Sequence, residues 1–460
     1  MNKSKYAAIL PIRLRRRSRR LFCWNALLWG VGNGLVSSSL VIYIVRTFAE
    51  GALDVASLGL AVSWIIAAPR LIGLLRILTP TLVDLIGNRK YFCFAGYLLS
   101  PLVLLLLPLL VPFFATWKTE HVNLILWLVG IIWVVYHLIE YFASVALWTW
   151  LGDFLHKRIR VGFLARRERW MLIGQMAGML TAGLYAWLLL PGAKSTTERL
   201  AVYLPPAQWG IAFLILSSIP IAFVPEIPWK KADSLKKRLS ELLLPLRNRR
   251  FGIFVLFGCW IQLANGLTQG PQSVFQIRVL DVSMLVGLFL LASTRLGQIA
   301  CSTLAGRMIN RFGAVRGIAV SLAIVSLGPL CYMVATPAVW QPIILAAFLW
   351  IGWIGVNIGM ENLSLAWAPE KERSSCIAFY FTAITGTFGL ATLLGGWLFD
   401  RYKEMIVIVP VIHLSLDYYR LAFLLGWILR SLGILILLYI ARSTRLDSHS
   451  VANTTNKREQ

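Results

Sequence analysis

The stretch TPTLVDLIGNRK, residues 79–90, interrupts a long apolar run with a short charged loop. The apolar run ends at Asp84, whose carboxylate lies where the partial positive charge at the start of the next helix favours an anion. Gly87 permits the tight turn that two antiparallel helices need. Arg89 and Lys90 follow, and we expect both to stay in water beside the membrane, as loop cations do. The stretch therefore predicts a short loop between two membrane-spanning helices.

The same pattern returns in the second half of the chain as GRMINRFGAVR, residues 306–316. It places loop residues in the same order: Gly306, Asn310, Arg311 and Gly313. Both copies resemble the loop between spans 2 and 3 of the major facilitator superfamily, roughly G-x-L-x-D-R-x-G-R-K. The first copy departs from that pattern at Pro80 and Leu85, and the second has Asn310 in place of the acid. A generic basic loop is the alternative, and the repetition in both halves favours the resemblance.

The composition indicates a membrane protein that crosses the bilayer many times. The 460 residues are 58% hydrophobic and 14% charged, with a mean hydropathy of +0.71. Ordinary soluble domains carry about 25% charged residues. Apolar runs of about 20 residues recur along the chain, and each is long enough to cross a hydrocarbon core of about 30 Å.

The net charge of +25 would suggest nucleic acid as a partner if the protein were soluble. Here most of the 45 Lys and Arg lie in segments that a cytoplasmic N-terminus makes cytoplasmic, which is the positive-inside pattern. We therefore predict that the protein lies in the inner (plasma) membrane of the cell and that both of its termini are in the cytoplasm. The expected partners are anionic lipid at the cytoplasmic face and a small-molecule substrate, with no nucleic acid and a monomeric chain.

Twelve apolar spans are predicted, at about 22–45, 54–83, 91–115, 124–151, 170–190, 207–224, 251–277, 283–309, 317–337, 342–367, 376–399 and 419–441. They are numbered spans 1 to 12 below. The predicted domains are a basic cytoplasmic tail (1–21), a six-helix bundle (22–226), an amphipathic cytoplasmic linker (227–250), a second six-helix bundle (251–441) and a disordered cytoplasmic tail (442–460). The predicted fold class is an all-α polytopic membrane protein of two pseudo-symmetric bundles.

The resemblance to the major facilitator superfamily implies more than the span count does. It implies that spans 1, 4, 7 and 10 line a central cavity and that the halves rock to give alternating access. It implies a secondary active transporter of a small solute, and organic or inorganic anions are the leading class. The alternatives are a multidrug-type efflux permease and a non-transporting membrane sensor or assembly factor. A sensor is expected to carry a sizeable extra domain, and the sequence shows none.

Enzymatic activity is not predicted. The sequence has no phosphate-binding loop, metal-ligand spacing or nucleophile elbow, and the six cysteines show no paired spacing in their apolar spans. We therefore expect no cofactor, no metal and no disulfide framework. The energy for transport is expected to come from an ion gradient or from the substrate gradient.

Ionisable residues inside spans are the strongest functional candidates, because each costs about 2.5 to 3.5 kcal/mol on insertion scales. The sequence places six of them there: Arg70, Arg76, Arg295, Arg430, Glu140 and Glu361. Arg76 and Arg430 are expected either to snorkel or to pair locally, and for Arg76 snorkelling toward the inner interface is the simpler interpretation. Arg430 lies in span 12, which the fold places outside the cavity, and the sequence suggests no function for it.

Arg70 and Arg295 form the predicted substrate site, together with Asn33, Asn265 and Glu361. Both arginines lie about 21 to 22 Å before the repeated loop along a helix, which is near the middle of the membrane. Arginine holds carboxylate and phosphate oxygens in pairs. The nitrate porters of the superfamily have a similar arginine pair on spans 2 and 8, although their glycine-rich signature is absent here. The alternative is that Glu140 and Glu361 hold the arginines permanently.

Two further hypotheses concern coupling and gating. His137 and Glu140 lie one turn apart on span 4, so the pair is a candidate for proton coupling. A static hydrogen bond between them, or a fixed Glu–Arg pair, is the alternative. Asp84 is expected to brace the cytoplasmic gate by contacting span 11 or the other half. Asn310 lacks that charge, so the gate is expected to be asymmetric.

Overall fold

The computed structural model describes most of the chain: residues 11–36, 67–110, 122–227, 248–280, 282, 284–369, 372–402, 404–409 and 414–456. Nearly all of the predicted linker at 227–250 and the first part of span 2 lie outside the described residues. The two-bundle domain boundaries therefore stay predictions.

Helices make up nearly all of the described first half. Their bounds are Ile12–Leu35, Thr79–Ile86, Arg89–Leu104, Val122–Phe154, Lys157–Leu189 and Thr196–Ala222, with 3-10 turns at Gly73–Leu78 and Leu190–Gly192. The span 6 helix starts at a capping box, in which the Ser195 hydroxyl accepts from the Glu198 amide and the Glu198 carboxylate accepts from the Ser195 amide. This arrangement satisfies amides that the first helical turn leaves without partners.

The second half repeats the helical pattern. Its helices are Arg249–Val274, Met284–Phe312, Ala314–Ser326, Gly328–Val334, Pro342–Leu349, Trp353–Trp367, Arg373–Tyr402 and Tyr418–Asn456. A π-helical turn at Phe275–Val279 follows span 7, and a 3-10 turn at Trp350–Gly352 interrupts span 10. One antiparallel pair of strands, Ile406–Val409 and Leu414–Asp417, joins spans 11 and 12. This hairpin is a small addition to the predicted all-α fold.

Nine helices in the described ranges are long and apolar enough to cross a membrane. They correspond to predicted spans 3 to 7 and 9 to 12. The protein is an integral membrane protein with an all-α polytopic fold, as the sequence predicts. Spans 1, 2 and 8 are not among the nine, and each includes residues outside the described ranges, so the count of twelve is not complete in the structure.

The chain forms two compact units. Unit 1 consists of Met1–Ile159, Arg166–Pro245 and Ala368–Gly389. Unit 2 consists of Arg160–Ala165, Leu246–Trp367 and Leu390–Gln460.

The first and last helices extend beyond the predicted spans. The first begins at Ile12, inside the segment predicted as a basic tail, and the last continues to Asn456, through most of the segment predicted as disordered. Adding residues to an existing helix avoids the free-energy cost of nucleating a new one. Neither extension, 12–21 or 442–456, contains a proline. Both extensions are therefore continuous with a membrane span.

Spans 1 and 5 pack closely because glycines line their contact. A Cβ atom at Gly30 would lie 3.1 Å from the Gln175 amide nitrogen, and one at Gly178 would lie 2.8 Å from the Leu35 amide nitrogen. Small residues allow helix backbones to approach in this way inside a membrane. The two helices run parallel, since Gly30 faces Gly174 and Gly34 faces Gly178.

Candidate functional site

Spans 2 and 11 approach closely in unit 1. A Cβ atom at Gly73 would lie 2.7 Å from Thr385 Cγ2, and one at Gly389 would lie 3.2 Å from Arg70 Cβ. Larger side chains at these glycines would separate the two segments. The close approach places the arginines of span 2 beside one face of span 11, since Phe381, Thr385 and Phe388 recur at helical spacing.

Arg70 is exposed and lies over an aromatic ring. Its guanidinium carbon is 4.8 Å from the centre of the Phe388 ring. Arg70 forms no ion pair with a carboxylate within the part of the chain that the structure describes, and Glu140 does not hold it. The predicted permanent pairing of Arg70 with Glu140 is therefore wrong for this structure. The in-plane donors of the guanidinium stay available, because the ring covers only its face.

Arg76 lies in the interior of unit 1. Its guanidinium carbon is 3.5 Å from the centre of the Tyr141 ring and 5.5 Å from that of Phe381. Its Nη1 donates a hydrogen bond to Thr385 Oγ1 at 3.0 Å. Arg76 is thus paired locally, which is the alternative to snorkelling, because an aromatic face and a hydroxyl satisfy much of its charge in place.

His137 and Glu140 do not form the hydrogen bond that was considered for them; neither has an ion pair or hydrogen bond with a side chain in the described residues. The His137 ring instead packs against Trp133, Tyr136 and Tyr141, with ring centres 4.4, 4.7 and 5.2 Å away. Glu140 is 7% exposed. Its role in proton coupling stays a prediction.

Asn33, the span 1 candidate, is half-buried and bonded. Gln175 Nε2 on span 5 donates to Asn33 Oδ1 at 3.3 Å. The contact belongs to the glycine-lined interface of spans 1 and 5. Nothing in this geometry gives Asn33 a role beyond that packing.

Arg295, the second predicted substrate arginine, is half-buried in unit 2. Its Nη1 donates to Gln298 Oε1 at 3.1 Å, and Gln298 Nε2 donates to the Trp350 carbonyl at 3.2 Å. This chain of hydrogen bonds fixes Arg295 against the interruption of span 10. Glu361 is half-buried on the same span, and its backbone carbonyl accepts from the Ser364 hydroxyl at 2.8 Å.

Asn265, the span 7 candidate, is bound by Arg430. The Nε and Nη2 atoms of Arg430 donate to Asn265 Oδ1 at 3.1 and 3.0 Å, and Nη2 also lies 3.3 Å from Thr268 Oγ1. Arg430 is 5% exposed, and Asn265 and Thr268, which accept its hydrogen bonds, are both neutral. The sequence suggests no function for Arg430. In the structure it binds Asn265, a residue that the sequence predicts to bind substrate.

The repeated loops form the predicted turns. Gly87 has φ 76° at the end of the Thr79–Ile86 helix, and Gly313 has φ 87° before Ala314. Positive φ angles favour glycine, so the sequence explains both turns. Asn310 and Arg311 are exposed, whereas Gly306 is buried against Ala165.

Arg89 is buried, which corrects the expectation that it stays in water. It is 1% exposed, and its Nη2 lies 2.8 Å from Asp153 Oδ2 at the end of span 4. Arg373, at the start of the span 11 helix, binds the other oxygen of Asp153 at 2.7 Å. Asp153 thus contacts the start of the span 11 helix. Asp84 is half-buried, and its predicted role in the gate stays a prediction. An acid at the end of span 4 and a basic residue at the start of span 11 were the signals that sequence analysis missed.

Comparison with known families supports the fold. The model of the Major Facilitator Superfamily matches residues 250–458. The second half of the chain is therefore similar to this superfamily in sequence. No curated protein matches the sequence at a significant level.

Solved transporters extend the likeness over nearly the whole chain. A bacterial homologue of the iron transporter ferroportin, in an outward-facing state, is 12% identical with a TM-score of 0.65, covering 94% of this chain and 100% of that one. The Escherichia coli fucose:proton symporter FucP is 15% identical with a TM-score of 0.66, covering 92% and 98%. The human organic anion transporter MFSD10 (TETRAN) is 15% identical with a TM-score of 0.60, covering 93% and 100%. The part of the chain that the structure describes therefore has the major facilitator fold.

Proposed function

We propose that this protein is a secondary active transporter that moves a small organic or inorganic anion across the cell's inner (plasma) membrane by alternating access. The fold supports the transporter class, and the arginines support the anion. The orientation with both termini in the cytoplasm rests on the distribution of Lys and Arg along the sequence.

The observation that carries the anion is Arg70. A guanidinium near mid-span that is exposed, stacked on Phe388 and without an ion pair in the described residues has unused in-plane donors. Arg76 adds a second positive charge on the same span, and Glu140 on span 4 is the one carboxylate that the sequence places within the neighbouring spans of this unit. This local excess of positive charge favours an anionic ligand. It disfavours a cationic substrate.

The test is ligand binding by the purified full-length chain. We expect a panel of inorganic anions, carboxylates and phosphate esters to contain members that raise the thermal unfolding midpoint, and cations of matched size to have no effect. Arg70→Lys and Arg295→Lys are each expected to weaken binding at least tenfold, because lysine keeps the charge but loses the paired donors.

Arg401→Lys is the matched control. Arg401 is exposed at the end of the span 11 helix, and its replacement is expected to leave binding unchanged. A stabilising cation with no stabilising anion, or Arg70→Lys and Arg295→Lys proteins that bind and transport normally, would contradict the proposal. The same purified protein in vesicles tests transport itself, since a sensor would bind ligand without accumulating it.

A further inference from the structure

The first helix presents a stripe of arginines on one exposed face. Arg13, Arg16, Arg17 and Arg20 are exposed and recur at the spacing of one helix face, within the helix Ile12–Leu35. None of the four has a hydrogen bond or ion pair with a residue that the structure describes. Arg15 and Arg19, which lie off this stripe, are half-buried, and Arg19 Nε donates to the Arg15 carbonyl.

The stripe leads to a pair of stacked tryptophans. Trp24, one turn after Arg20, is 55% exposed and lies 6.4 Å from Trp170 of span 5, with 24° between the ring planes. Trp170 is itself 39% exposed. Exposed tryptophans at the end of an apolar span are typical of the boundary between hydrocarbon and headgroups.

Span 5 supplies a matching cation at the same level. Arg166 is exposed one turn before Trp170, as Arg20 is one turn before Trp24, and the two helices run parallel. Arg166 also has no bonded partner in the described residues. One helical turn is about 5.4 Å, which is close to the thickness of the headgroup layer. Arg20 and Arg166 therefore lie at headgroup level when Trp24 and Trp170 lie at the edge of the hydrocarbon.

The arginine stripe is unfavourable for its own helix. The first turn contains no acidic residue, and Pro11 provides no side-chain cap. Cations at a helix N-terminus oppose the helix dipole. Anions bound along the stripe would offset both the dipole and the mutual repulsion of the guanidinium groups.

We propose that Arg20 and Arg166, with Trp24 and Trp170 beneath them, bind the phosphodiester headgroup of an anionic phospholipid, and that Arg13, Arg16 and Arg17 extend this contact over the membrane surface. Arginine forms paired hydrogen bonds to phosphate oxygens. A polybasic segment next to a span is attracted to anionic lipid. The proposal names a lipid site and does not depend on the transported substrate.

The test uses the full-length chain in neutral detergent, titrated with phosphatidylglycerol or with phosphatidylcholine of the same acyl chains. We expect phosphatidylglycerol to bind more tightly, with the preference falling as salt rises. Each cation near an anionic surface contributes about fivefold to binding. The Arg20→Gln/Arg166→Gln protein is therefore expected to bind phosphatidylglycerol about thirtyfold more weakly.

Arg15→Gln/Arg19→Gln removes the same charge from the other face and is expected to keep the lipid preference. Arg20→Lys/Arg166→Lys keeps the charge, should retain most of the preference, and serves if the glutamine variant does not fold. Equal binding of the two lipids, or an equal loss in both glutamine variants, would overturn the proposal. It would also be overturned if inorganic phosphate or a short nucleic acid competed fully with phosphatidylglycerol at equal charge concentration.

Discussion

The guanidinium carbon of Arg76 lies 3.5 Å from the centre of the Tyr141 ring, which joins span 2 to span 4 inside unit 1. The hydrogen bond from Arg76 Nη1 to Thr385 Oγ1 adds span 11 to the same contact. A cation held over an aromatic ring contributes about 0.5 to 2 kcal/mol, with the larger values where water is excluded. This one side chain therefore connects three spans of the unit.

A double-mutant cycle tests that connection. Arg76→Gln, Tyr141→Leu and the double variant are expected to give a coupling energy of about 0.5 to 2 kcal/mol, because each single change already removes the shared contact. The measurement is the free energy of unfolding in detergent. Arg311 and Phe312 are the control pair, since both are exposed and 5.4 Å apart, and their coupling should be close to zero. Additive effects at Arg76 and Tyr141 would contradict the assignment.

Asp153, at the end of the span 4 helix, is predicted to be the acid whose replacement destabilises the protein most. Asp153→Asn removes the carboxylate shared by Arg89 and Arg373, whose side chains are 2% and 12% exposed. Breaking a buried ion pair costs about 3 to 5 kcal/mol, because a buried charge loses its partner. We expect a matching loss of unfolding free energy and of transport, with partial recovery in Asp153→Glu.

Asp417→Asn is the matched control for Asp153. Its ion pair with Arg420 is 3.0 Å long, but the two side chains are 34% and 30% exposed. An exposed pair contributes about 0 to 1 kcal/mol. Similar losses in Asp153→Asn and Asp417→Asn would show that burial of the Asp153 cluster has no energetic consequence.

The sequence predicts the parts of the structure that depend on nearby residues. The lengths of the apolar runs predict the spans, and Gly87 and Gly313 predict the two turns, because positive φ is a local requirement. Arg89 is buried beside its ionic partner Asp153, which is 64 residues away in the sequence. Asp153 also binds Arg373, a further 220 residues along. No local pattern contains that information. The repeat alignment identified where cations lie in the spans, and the packing decided which of them have partners.

Asp84 and Asn310 occupy matching places in the repeated loops and differ in charge. If Asp84 braces the gate, Asp84→Asn should lower the transport rate more than Asn310→Ala does, since Asn310 is exposed and uncharged. The measurement is uptake into vesicles at matched protein amounts. A cysteine at Lys236 in the predicted linker should be labelled from the cytoplasmic side alone. Equal transport defects, or labelling from outside, would contradict the predicted gate and topology.

Glu140 is the candidate for proton coupling, because it is 7% exposed with no hydrogen bond or ion pair in the described residues. Glu140→Gln replaces the ionisable carboxyl with a neutral amide of similar size, and it is expected to remove the pH dependence of gradient-driven accumulation while leaving substrate exchange intact. His137→Gln is the matched comparison and should have the smaller effect, since aromatic rings surround His137. An unchanged pH profile in Glu140→Gln would end the hypothesis.

Asn265 is predicted to stabilise the fold by accepting hydrogen bonds from Arg430. Variants of these two residues separate this role from substrate binding. Asn265 Oδ1 accepts two hydrogen bonds from a guanidinium that is 5% exposed. Hydrogen bonds to charged groups contribute about 1.5 to 3 kcal/mol each, and a buried cation that loses them pays its desolvation in full. Asn265→Ala should therefore lower the unfolding free energy by about 2 to 4 kcal/mol.

Two companion variants make the assignment specific. Asn265→Asp places a carboxylate against Arg430 and should be at least as stable as the native chain, because the buried cation gains an ionic partner. Arg430→Met removes the charge and should restore most of the stability lost in Asn265→Ala, since no buried cation then lacks acceptors. Unfolding free energies of the four proteins and the double variant complete the cycle. If Asn265→Ala keeps full stability but loses substrate binding, then Asn265 binds substrate and does not stabilise the fold through Arg430.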